Sequence, residues 1–252
     1  MYSYLARFTL YLVLTTLLAA VLAAYLAVVC PLLGRRSYAR LLRERDRDPN
    51  ALTRAYAWYL AEWWTLAAAA LLVVVLSPGI GPAAAGLALP ADLSTTAGML
   101  TGFAVVAVPL ALVARRMARA GVALPGQAAY RALLPRTPAE RRLALAVAVT
   151  AGICEEIVYR GLLIALGTRL LGLPVPVAAA LALAVFVAGH LYQGWRGMAL
   201  VTLLGFSFTV LYLQTGSLLL PIVLHILADV RGLLLVPRSR PDGIGRTATV
   251  PG

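Results

Sequence analysis

Long apolar runs recur along the chain, separated by short polar or arginine-rich stretches. They cover residues 8–33, 55–76, 97–114, 143–166, 174–192, 197–213 and 217–236. A helix needs about 20 mostly apolar residues to cross a bilayer. The pattern therefore predicts an all-α fold: a polytopic transmembrane helical bundle of about seven helices, with six to eight compatible. The first run is too long for a secretory signal peptide and has no clear small-residue cleavage site, so it reads as a retained helix. Pro109 breaks the third run. Residues 77–94 are rich in Pro and Gly and nearly uncharged, which marks a loop. Residues 1–142 then form N-terminal membrane helices with basic loops, and residues 143–236 carry the polar groups discussed below. Residues 237–252 read as a disordered tail.

Composition strengthens the membrane assignment. Hydrophobic residues make up 62% of the chain and the mean hydropathy is +0.87, whereas soluble domains are about 45–50% apolar. The net charge is +12, and all 22 basic residues are Arg. Together with abundant Ala, Leu and Val, this indicates a GC-rich, bacterial coding bias, so the charge is poor support for a nucleic-acid partner. Topology accounts for it better. Residues 35–54 and 115–142 hold seven Arg each, and residues 77–94 hold none. Arg-rich loops stay inside. The expected placement is a multi-pass protein of the cell membrane, N-terminus outside and C-terminus cytoplasmic. Cys30 and Cys154 are too far apart in sequence for a metal or disulfide pattern.

Within the apolar runs lie Glu155, Glu156, Arg160, His190, His225 and Asp229. Ionisable groups at membrane depth are costly, and by default they mark function. Glu156 and Arg160 are four apart and can pair on one helix face. Glu155 is turned about 100° away, and its own neighbour at that spacing is Tyr159, a potential donor. One carboxylate is thus compensated and the other is not, which suits the second to general-base work. His225 and Asp229 are also four apart, so Asp229 can hold the imidazole tautomer. Phe186, one turn before His190, would pack beside the site and exclude water. Each group alone has a bland reading, as a packing salt bridge or a satisfied donor; their joint placement on three helices favours a site. Glu62, beside Trp58, Trp63 and Trp64, reads as a headgroup-level residue.

Depth is a difficulty. Glu155 lies about 20 Å along a helix from Arg142, and His190 lies about 8 Å from Trp195. Either the fourth helix starts before Arg142, or the fifth extends further. Two chemistries fit the polar set. In one, Glu155 and His190 activate a water while His225 and Asp229 stabilise an oxyanion. In the other, Glu155, His190 and His225 ligate a divalent ion such as zinc, whose bound water attacks.

The three motifs, Glu-Glu-x-x-x-Arg at 155–160, Phe-x-x-x-His at 186–190 and His-x-x-x-Asp at 225–229, resemble those of the CPBP family. That family includes the CAAX prenyl endopeptidases and bacterial proteins linked to bacteriocin self-immunity. The resemblance implies an intramembrane endopeptidase, with Glu155 activating water, His190 its partner, and Glu156 and Arg160 in support. His225 and residue 229 would form the oxyanion side, although the family often has Asn where this chain has Asp229. It implies a peptide or membrane-protein substrate in the bilayer, with either no cofactor or a divalent metal; oligomeric state is left open. Two other readings compete. One is a non-catalytic membrane partner or immunity protein on the same scaffold. The other is an ion-coupled transporter, which the lack of a paired broken-helix repeat disfavours.

Overall fold

A computed structural model describes residues 2–77, 80–120 and 127–235. The predicted tail, 237–252, lies outside them. The described residues are helical, without strands, and form seven rods. The first joins α1 (Tyr2–Ala24) to α2 (Cys30–Glu44) through a π-helical turn, Tyr25–Val29. Next come α3 (Ala51–Leu76) and α4 (Leu93–Arg119). The fourth rod is α5 (Pro138–Glu155), continued by π segments Glu156–Leu163 and Leu166–Leu170. The last three are α6 (Val175–Gly189), α7 (Gly194–Thr215) and α8 (Leu219–Leu234). Four stretches are long and apolar enough to cross a membrane: Leu12–Glu44, Ala51–Leu76, Leu93–Met117 and Leu191–Thr215. The protein is a multi-pass helical membrane bundle. Leu and Val side chains line much of its exterior, as expected where lipid replaces water.

The first rod continues through the arginine-rich stretch 35–54 as far as Glu44 before turning. The depth difficulty resolves by the first alternative: α5 starts at Pro138, before Arg142. The local sequence fixes that start. Pro138 occupies the first turn, where its missing N–H costs nothing. Thr137 accepts from the Glu140 amide, and Glu140 accepts in return from the Thr137 amide, a reciprocal capping box.

The two arginine-rich stretches meet at one end of the bundle. Arg45 donates to Glu140 across 2.9 Å, Arg136 to Asp46 across 2.6 Å, and Arg141 to the Leu234 carbonyl across 3.3 Å. Tyr56 donates to the Leu133 carbonyl at the same end. At the opposite end the uncharged loop packs on the α7–α8 turn. There the Leu218 amide donates to Gly86 O and the Ser217 hydroxyl to Ala88 O. Helices α3, α5 and α7 therefore run away from the arginine-rich end, and α4, α6 and α8 run towards it.

Helix α5 is the central element, packed along both α3 and α8. Its approach to α8 depends on Gly152. A Cβ there would lie 2.4 Å from Ile226 Cγ1, 2.9 Å from the Ile226 amide nitrogen and 3.1 Å from Ile222 O. The bare backbone lets α8 sit one turn from Glu156, at the level of His225.

Candidate active site

Glu155 closes α5, and Glu156 opens the π segment. π-Bulges frequently sit at functional sites, because the extra residue per turn re-aims the side chains around it. Here both carboxylates of an adjacent pair are buried; Glu156 is fully so.

Glu156 Oε1 accepts from Arg160 Nη1 at 2.9 Å and faces His225 Nδ1 at 2.7 Å. The i,i+4 pair read from the sequence is present, but it is only half of what Glu156 does. Arg160 also donates to Gly205 O at 3.1 Å, and its guanidinium lies 4.3 Å above the Phe186 ring. A buried guanidinium is tolerable when its donors are used in this way.

His225 corrects an expectation. Its orienting contact is Glu156, 69 residues away in sequence, and not Asp229. Because a carboxylate only accepts, Nδ1 carries the proton in that bond. Nε2 then faces Asp229 Oδ2 at 3.8 Å and Glu155 Oε2 at 4.0 Å. Both exceed hydrogen-bond range. The sequence rule favoured Asp229 because it compares only neighbours on one helix.

Glu155 corrects another. The donor to its Oε1 is Tyr59 on α3, at 2.8 Å, and not Tyr159. Oε2 is buried and accepts no hydrogen bond from the described residues. Tyr159 instead packs edge-on to Phe186 at 5.2 Å and lies 5.8 Å from Trp63.

His190 ends α6. Its Nδ1 donates to Phe186 O at 2.9 Å, since a carbonyl only accepts. In the neutral ring this leaves the lone pair on Nε2. Phe186 is buried, and its ring centroid lies 4.8 Å from that of His190 and 6.3 Å from that of His225.

Glu62 lies near the middle of α3 and accepts from Tyr25 at 2.6 Å. Glu155, His190 and His225 do not form a ligand trio. Among the described residues, no three His, Cys, Asp or Glu side chains are grouped as a metal ion would require.

The site lies about 12–14 Å along α3 and α8 from their arginine-rich ends, counting Ala51 to Tyr59 and His225 to Leu234 at the helical rise. The open oxygen of Glu155, held on apolar helices, thus lies 4.0 Å from one imidazole, that of His225. Residues 138–231 match the family described as Type II CAAX prenyl endopeptidase Rce1-like. Neither the curated proteins nor the solved structures yielded a match. At family level the fold and the match support a CAAX-type intramembrane protease acting on peptide in a lipid bilayer.

Proposed function

We propose that the protein hydrolyses peptide bonds at its arginine-rich end, with Glu155 as general base. The observation that carries this reading is the buried Oε2 of Glu155, which has no donor among the described residues and faces His225 Nε2 at 4.0 Å. A water held there gives its proton to Oε2, and its oxygen bonds to the scissile carbonyl carbon. The lone pair on His190 Nε2 orients that water. The oxyanion accepts from His225 Nε2, which acts with both ring nitrogens protonated and Nδ1 held by Glu156. The C–N bond then breaks, and the proton on Glu155 passes to the leaving amine. Arg160 keeps Glu156 in place. Asp229 lies on the oxyanion side; an ionised carboxylate there would only accept.

The arginine-rich end is the cytoplasmic one in this reading, which puts the N-terminus outside and the C-terminus inside. The shared end of the two basic stretches supports it. Reporter fusions at residues 47 and 90 would report opposite sides; the same side for both would overturn it.

The deciding experiment compares the purified protein with Glu155→Gln on a peptide pool that includes prenylated C-termini, read by mass spectrometry. Products from the parent alone, surviving a chelator, are expected. Equal products from both would sink the Glu155 assignment. Loss on chelation would replace the metal-free mechanism with a metal-dependent one. No products from either would favour the non-catalytic partner.

A further inference from the structure

Tyr59 was not among the residues singled out in the sequence, and it lies outside the family match at 138–231. It nonetheless makes the one hydrogen bond that Glu155 Oε1 accepts. We propose that Tyr59 is a positioning residue of the active site, so that α3 completes a catalytic centre whose motifs all lie on other helices. This rests on the proposed role of Glu155.

The argument begins with the two oxygens of one carboxylate. Oε1 is committed to the Tyr59 hydroxyl at 2.8 Å, while Oε2 faces His225. A carboxylate pinned at one oxygen cannot spin, so Tyr59 decides which oxygen is presented to the water. The tyrosine is itself fixed. Its ring lies 6.0 Å from Trp63, which lies 5.8 Å from Tyr159, which meets Phe186 at 5.2 Å. Phe186 in turn lies 4.8 Å from His190. One line of rings thus joins the donor to Glu155 with the other side of the site. Trp64 adds a second tie between the same helices, donating from Nε1 to Thr150 Oγ1 at 3.1 Å. A buried tyrosine needs some acceptor. Here the acceptor is the base that the mechanism requires to be ionised, and a hydrogen bond to the charged form favours that form.

The test is Tyr59→Phe, which removes one oxygen and keeps the ring. The expected result is a fall in kcat of about 10- to 100-fold at neutral pH, from losing one hydrogen bond to a charged group. KM should stay close to that of the parent. The acid limb of the pH–rate profile should move to higher pH, so the deficit narrows as pH rises. A deficit equal at every pH, or one expressed in KM alone, would overturn the proposal, as would parental kinetics.

Infrared difference spectra keep the question separate from proteolysis. Parent minus Glu155→Gln isolates the carboxylate stretch of Glu155, and Tyr59→Phe should shift it. The same bond is read from the other side as a change in the Tyr59 C–O stretch on Glu155→Gln, which covers the case in which Tyr59→Phe does not fold. If the parent cleaves nothing, the protease reading fails while the spectra still decide Tyr59. Unshifted bands would overturn the positioning role whatever the kinetics.

Discussion

Among the described residues are two buried glutamate–arginine contacts of the same length, used in opposite ways. At the arginine-rich end, Glu140 and Arg45 lie 2.9 Å apart with side chains 3% and 5% exposed. Deeper in the bundle, Glu156 and Arg160 are also 2.9 Å apart, at 0% and 2%. Glu140 concentrates its donors on one oxygen: Oε2 accepts from Arg45, the Arg136 amide and the Thr137 amide. The glutamates at the site do the reverse. Glu155 and Glu156 each bind through Oε1, and both leave Oε2 buried without a protein donor. Burial and charge do not separate the two regions. An unspent acceptor does, because a buried oxygen without a partner costs about 1–3 kcal/mol and persists where something else has use for it.

The comparison can be broken at either end. The largest effect is expected from Glu155→Gln. Turnover should fall about 10²- to 10⁴-fold, the usual share of a positioned general base, while thermal unfolding in detergent stays near that of the parent. Retained turnover would mean that the open oxygen does no chemistry. Glu140→Ala should do the opposite. It strands Arg45 in a buried site and should destabilise by about 3–5 kcal/mol, visible as a lower unfolding temperature, with turnover per folded molecule unchanged. A catalytic defect in that variant at full occupancy of the folded state would erase the contrast.

A smaller effect follows from pH. Burial pushes the Glu140 carboxyl up, but the Arg136 amide and the Arg45 guanidinium outweigh it, so the group is held below its ordinary value of 4.5. A lowered carboxylate stabilises the fold above its ordinary value and loses that contribution as pH falls through the lowered one. Acid should therefore loosen the arginine-rich end from about pH 4.5 downward, and Glu140→Gln should remove that dependence from unfolding curves. The smallest effect is expected at Asp46. Its carboxyl is also held low, by the Arg136 guanidinium at 2.6 Å. Both partners are exposed, and exposed pairs contribute little and are screened by salt. Asp46→Asn should leave the unfolding temperature unchanged within error at moderate salt.

Much of this was legible in the sequence, and the rest was not for a definable reason. The rods follow from apolar run length, which is a local property. The pairing of Glu156 with Arg160 follows from helical spacing, also local. The partners of Glu155 and His225 are not local. Tyr59 is 96 residues from Glu155, and Glu156 is 69 from His225. Choosing them needs the rotation of one helix against another, which spacing within a run does not contain. Spacing therefore offered the neighbours Tyr159 and Asp229. The π segment after Glu155 adds to the difficulty, since it changes the angular step just where the two carboxylates must be told apart.

Gly152 has a consequence for which substitutions this chain can accept. If only a side chain opposed it, a larger residue at 152 could be matched by a smaller one at 226. Two of the three nearest atoms are backbone, however, the Ile226 amide nitrogen and Ile222 O, and no exchange of side chains on α8 removes them. The distance between the helices carrying Glu156 and His225 is therefore set by main chain on the α8 side, and any side chain at 152 would push His225 away from Glu156.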